Sequence, residues 1–70
     1  MDRISVQSSN ICSIGYDTDK RILEIEFKSG SVYQYFNVPQ EVYNELVQTS
    51  SVGRYFTKNI KDVYQCNRVG

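Results

Sequence analysis

The amino-acid sequence predicts an α+β fold, a three-stranded antiparallel sheet (a β-meander) followed by two helices packed on one face. Three observations carry this. Residues 11–38 alternate apolar and polar side chains with period two, broken by two turn-forming stretches. Residues 39–63 switch to helical spacing, broken once at Thr49-Ser50-Ser51. All the strands precede all the helices, which suits a sheet with one covered face better than repeated βαβ units.

The first predicted strand is Ile11 to Asp17, with Cys12, Ile14 and Tyr16 on one face. Asp17-Thr18-Asp19-Lys20 is polar and supplies a turn. The second, Arg21 to Lys28, puts Leu23, Ile25 and Phe27 on one face and Glu24, Glu26 and Lys28 on the other. The third is Ser31 to Val38. A three-residue loop, Lys28-Ser29-Gly30, places Gly30 where positive φ is needed. That register pairs Phe27 with Ser31, Ile25 with Tyr33 and Leu23 with Tyr35. A two-residue loop would turn both tyrosines to the opposite face.

Pro39 ends the sheet and opens a helix at its first position, running to Gln48 with Val42, Tyr43, Leu46 and Val47 in one arc. Thr49-Ser50-Ser51 breaks it and caps the next helix, since serine hydroxyls satisfy free amides at a helix start. That helix spans Val52 to Val63, with Val52, Tyr55, Phe56, Ile60 and Val63 as its apolar stripe. Arg54, Lys58 and Lys61 form a basic stripe opposite. Residues 64–70 either extend along the sheet or fray.

The 70 residues make one domain, residues 1–70. A chain of this size buries roughly 60% of its unfolded surface, which predicts modest stability. Lys plus Arg and Asp plus Glu number 8 each, so the net charge is zero. The distribution is uneven. Residues 1–50 set Arg3, Lys20, Arg21 and Lys28 against Asp2, Asp17, Asp19, Glu24, Glu26, Glu41 and Glu45, a net −3. Residues 51–70 set Arg54, Lys58, Lys61 and Arg68 against Asp62, a net +3. Such asymmetry marks a binding face or internal charge matching. No apolar run is long enough to span a bilayer, and no basic leader precedes an apolar stretch. Cys12 and Cys66 are too few for a disulfide scaffold and read as reduced thiols of a cytoplasmic protein, Cys12 as a small core side chain.

The chemistry of catalysis is thin. Histidine is absent, and with it the commonest general base and metal ligand. Two isolated cysteines do not complete a zinc site, and no phosphate-loop or nucleophile-elbow motif occurs. Glu24 and Glu26 share a strand face, as a paired-carboxylate hydrolase would need, but they read as a solvated outer face rather than a catalytic pair. The sequence therefore predicts no enzyme, cofactor or metal.

Several segments taken in order resemble the KTSC domain. They are Ser8-Ser9-Asn10-Ile11, Ile14-Gly15-Tyr16-Asp17, Leu23-Glu24-Ile25-Glu26-Phe27, Gly30 with Tyr33-Gln34-Tyr35-Phe36-Asn37-Val38-Pro39, Ser51-Val52-Gly53-Arg54-Tyr55-Phe56, Ile60 and Arg68-Val69. The Tyr-x-Tyr element is that family's central mark. The family is named for its place at the C-terminus of lysyl-tRNA synthetases and occurs also as single-domain bacterial and phage proteins. The resemblance extends from about Val6 to Val69, and attachment to a synthetase implies RNA as a ligand.

Three functional expectations follow. In the first, a non-catalytic module binds RNA or a nucleotide. Arg54, Lys58, Lys61 and Arg68 meet phosphates, Ser51 and Gly53 present helix-start amides to an anion, and Tyr33, Tyr35 and Phe36 stack bases from the sheet. In the second, Ile22, Val32 and Phe36 form an apolar patch on the uncovered face that binds a protein or a second copy, with an open strand edge alongside. In the third, a shallow pocket of the same anion-binding residues holds a small ligand. Against these stand a solvated basic helix face, a plain helix cap and core-packed tyrosines.

Overall fold

The computed structural model describes the whole chain, Met1 to Gly70. Its elements are β1 (Arg3–Ser5), β2 (Ile11–Asp17), β3 (Ile22–Phe27), β4 (Val32–Tyr35), α1 (Gln40–Gln48), α2 (Val52–Asn59) and β5 (Cys66–Arg68). The class is α+β with two helices and an antiparallel sheet, but the sheet has five strands, in the order β1-β2-β3-β4-β5. The two additional strands are three residues each and wholly exposed. They are held by backbone pairing to β2 and β4, so no alternation of side chains announces them.

The central hairpin follows its predicted register. Leu23 pairs with Tyr35 and Ile25 with Tyr33. The Phe27 amide donates to the Ser31 carbonyl at 2.8 Å, the Gly30 amide donates to the Phe27 carbonyl at 2.9 Å, and Gly30 has φ +99°. A residue with a side chain would be strained there. At the β2–β3 turn the Asp17 carboxylate accepts the amides of Asp19 and Lys20 at 3.0 and 3.1 Å, an Asx turn.

The first strand departs from simple alternation. A bulge between Ile11 and Ser13 puts Ile11 opposite Phe27 and Ser13 opposite Glu26. Ile11 therefore enters the core, and Cys12 is exposed instead of buried. Gly15 is where β1 crosses closely; a Cβ there would lie 2.7 Å from the Asp2 carbonyl oxygen and 2.9 Å from Arg3 Cγ.

Ile11, Ile14, Leu23, Ile25 and Tyr35 from the sheet meet Leu46 of α1, Val52 and Phe56 of α2, and the flanking Val38 and Ile60. Fully burying each such side chain contributes about 1.5–3 kcal/mol. Tyr16 stacks on Tyr43 at 5.0 Å and donates its hydroxyl hydrogen to the Val38 carbonyl, pinning the β4–α1 connection. Pro39 is the N-cap of α1, one residue outside the helix, with φ −63° and ψ 148°. Helix α2 stops at Asn59 rather than Val63. The Lys61 amide donates to the Phe56 carbonyl at 2.9 Å and Asp62 takes φ +64°, so the chain turns away and leaves Val63 exposed.

The outer face of the sheet is polar at its centre. Glu24 pairs with Arg3 at 3.2 Å and accepts from Gln34 Nε2 at 2.9 Å, while Glu26 accepts from Ser13 Oγ at 2.7 Å. The Ser13 hydroxyl holds the Glu26 carboxyl below the usual carboxylate range, with Arg3 assisting. Ile22, Val32 and Phe36 are half-buried rather than fully exposed. The edge of β4 is taken by β5, so of the tail left open between extension and fraying, Cys66–Arg68 run along the sheet.

Candidate functional site

The connection between β1 and β2 is a tight polar turn. Ser8 Oγ accepts the amides of Asn10 and Ile11, each at 3.4 Å, and donates to Asn10 Oδ1 at 3.0 Å. This turn lies against the first turn of α2, and Gly53 permits the approach. A Cβ at Gly53 would sit 3.0 Å from Asn10 Oδ1 and 3.2 Å from Ser8 Oγ. Two segments of the sequence that carried the family resemblance, Ser8-Ser9-Asn10 and Ser51-Val52-Gly53-Arg54, thus meet in space.

Between them is a cleft of about 660 Å³ lined by polar side chains and one apolar residue, Val52. Ser51, the N-cap of α2, makes no side-chain cap bond. The predicted serine cap is absent, and it is the Ser51 amide that finds a side-chain partner, donating to Thr49 Oγ1 at 3.3 Å. The first helical hydrogen bond runs from the Tyr55 amide to the Ser51 carbonyl at 3.0 Å. The first-turn amides therefore gain no acceptor from the cap. Arg54 and Lys58, one helical turn apart, are exposed at the rim. No carboxylate lines the cleft, and the single ion pair of the molecule, Arg3 with Glu24, lies on the other face of the sheet.

A second cleft, about 380 Å³, adjoins the first and has an aromatic wall. Phe27 meets Tyr33 and Phe56 edge to face at 5.8 and 5.6 Å, and Phe56 meets Tyr35 at 5.5 Å. Lys61, Asp62 and Cys66 complete its border. Burial pushes the Tyr35 hydroxyl up to about 12, with Cys66, Tyr33 and Asp62 adding to the effect.

The predicted site residues divide between these two places. Ser51, Gly53, Arg54 and Lys58 line the first cleft, and Tyr33, Tyr35 and Lys61 line the second. The continuous basic stripe is broken because α2 ends before Lys61. Arg68 lines neither cleft; it lies opposite Tyr33 in β5 and its Nε donates to the Gly70 carbonyl at 2.8 Å. The tyrosines are not an open stacking platform, since both point to the helix-covered face and Tyr35 is only 5% exposed. The sequence reading missed Gln7, Ser8, Ser9, Asn10 and Thr57 on the first cleft, and Phe27, Phe56, Asp62 and Cys66 on the second. No three Cys, Asp or Glu side chains come together as a metal centre would require. No helix is long and apolar enough to cross a membrane.

Comparison with known proteins places this architecture. The family model of the KTSC domain matches residues 7–64. An uncharacterized protein of Stutzerimonas stutzeri is 46% identical over 61 residues, covering 87% of this chain and 86% of that protein. A lysine–tRNA ligase of Nostoc punctiforme is 41% identical over 59 residues, covering 84% of this chain but 10% of the ligase. The crystal structure of a KTSC domain protein from Yersinia pestis superposes with a TM-score of 0.96 at 42% identity, covering 99% of this chain and 97% of that one. A family match over most of the chain, together with close agreement in sequence and structure with a KTSC domain protein, shows that the chain belongs to the KTSC domain family.

Proposed function

We propose that this domain is a non-catalytic cytoplasmic module that binds a phosphate-bearing ligand, RNA or a nucleotide, in the cleft between the Gln7–Asn10 turn and the start of α2. One observation carries the reading: Arg54 and Lys58 stand unpaired beside an uncapped helix start, in a cleft with serines and no carboxylate. Helix-start amides and a positive dipole end favour an anion, and a guanidinium can hold two phosphate oxygens at once. RNA as the source of the phosphate is supported by the related segments that sit within lysine–tRNA ligases. The non-catalytic part is supported by Glu24 and Glu26. These adjacent carboxylates are engaged with Arg3, Gln34 and Ser13 on the opposite side of the sheet, where Glu26 is held ionised rather than as an acid. The cytoplasmic part is supported by the free, exposed thiols of Cys12 and Cys66, which suit a reducing compartment.

The test is a mobility shift with single-stranded RNA. The double variant Arg54→Ala with Lys58→Ala weakens the complex while its circular dichroism matches that of the parent. A complex of unchanged strength removes both side chains from the account.

A further inference from the structure

The two clefts share a wall, because Asn10 and Thr57 line both. One side of that wall is polar and flanked by Arg54 and Lys58. The other side is aromatic, with exposed Lys61 at its border. A ligand that fills both is an anion joined through a short polar link to a flat, largely apolar group. We propose, resting on the anion-binding reading above, that the unit bound is a nucleoside monophosphate whose base is unstacked. Its phosphate lies at the start of α2, its ribose crosses Asn10 and Thr57, and its base enters the aromatic cleft.

Arg54 and Lys58 lie on α2 beside the polar cleft, and Lys61, just past the helix end, borders the aromatic one, so cations flank both clefts. Asn10 uses its side-chain oxygen to accept from Ser8, which leaves its amide hydrogens for a ribose hydroxyl. Thr57 donates to the Gly53 carbonyl at 2.9 Å and keeps its oxygen lone pairs for an incoming donor. In the aromatic cleft Tyr35 and Phe56, 5% and 3% exposed, form the floor. Phe27 and Tyr33 are half-buried and offer ring surface to a base. A base paired and stacked within a duplex cannot enter, so the site selects single strands, strand ends or free nucleotides.

Amide chemical shifts of the full chain test this with ribose 5-phosphate, which lacks a base, against AMP. The expected result is that ribose 5-phosphate moves the amides of Asn10 and Ser51–Lys58 only. AMP also moves Phe27, Tyr33 and Cys66 and binds about tenfold tighter, as one base stacked on an aromatic ring allows. Tyr33→Leu removes that advantage and leaves ribose 5-phosphate binding unchanged, which also reports that the variant is folded. Equal affinity and an identical footprint for the two probes overturn the nucleotide inference while leaving the anion site standing. If neither probe moves Ser51–Lys58, both readings fall. A single-stranded oligoadenylate that binds tighter than AMP assigns the unit to a strand, and the reverse order assigns it to a free nucleotide. A duplex of equal length that binds as tightly as the single strand overturns the unstacked base.

Discussion

Gly53→Ala probes whether the Ser8–Asn10 turn is truly seated on α2. Taken alone, α2 gains from the change: replacing glycine by alanine in a helix contributes up to about 1 kcal/mol, and less within the first turn. Against this stands the space. The new methyl would lie 3.0 Å from Asn10 Oδ1 and 3.2 Å from Ser8 Oγ, both tighter than ordinary contact. Neither atom can yield freely, since the two are hydrogen-bonded to each other and Ser8 Oγ also accepts the Asn10 and Ile11 amides. Overpacking of this kind costs about 1–3 kcal/mol. The cost exceeds the gain, so the expected net effect is destabilisation by about 0.5–2 kcal/mol. Urea unfolding under reducing conditions measures it as a lower midpoint at unchanged slope. Made in an Asn10→Ala background, where the nearest obstacle is gone, the same substitution is neutral or stabilising. The double-mutant cycle then gives a coupling of about 1 kcal/mol. A Gly53→Ala protein more stable than the parent in the native background would refute the packing on which the cleft depends.

Two further outcomes follow from burial. Leu46 is the one fully buried residue of α1, so Leu46→Ala is expected to cost about 2–5 kcal/mol, a large part of the roughly 4–10 kcal/mol available to a domain of this length. Urea unfolding checks it, and a loss below about 1 kcal/mol would mean that α1 is not anchored there. Tyr35 and Tyr55 both have hydroxyls pushed up to about 12 from 10.0, chiefly by burial and, for Tyr55, also by its hydrogen bond to Glu45. Above pH 10 the unfolded chain releases these protons while the folded chain keeps them. Stability is therefore full below about 10 and is lost as the pH rises toward about 12. Tyr35→Phe makes that loss shallower in unfolding experiments across the range; an identical slope would place the Tyr35 hydroxyl in solvent.

What the sequence makes legible follows from which interactions leave a local pattern. The β3–β4 hairpin was readable because Gly30 constrains the loop and Leu23, Ile25 and Phe27 bury one face. Strands β1 and β5 were not, because Arg3–Ser5 and Cys66–Arg68 bury no side chain and exist through backbone pairing with distant partners. Cys12 was assigned to the wrong side because a bulge shifts the period by one residue without changing composition. The end of α2 depends on Asp62 in the left-handed region, for which neither glycine nor proline gave warning, although short Asx side chains tolerate that conformation. At the site, Ser51, Gly53, Arg54 and Lys58 were recognisable from helix-start chemistry and spacing. Their counterpart, the Ser8–Asn10 turn, lies more than forty residues earlier in the chain. Only its appearance among the KTSC-like segments hinted that it belonged with them.

The salt dependence of single-stranded RNA binding counts the cations that the ligand meets. Each phosphate neutralised on a single strand steepens the plot of log affinity against log salt by about 0.7. With Arg54 and Lys58 in contact with phosphate, the double alanine variant is expected to show a slope shallower than the parent's by about 1.4, together with weaker binding at low salt. Parallel lines for the two proteins would contradict the account, because they would mean that the RNA is held elsewhere on the domain.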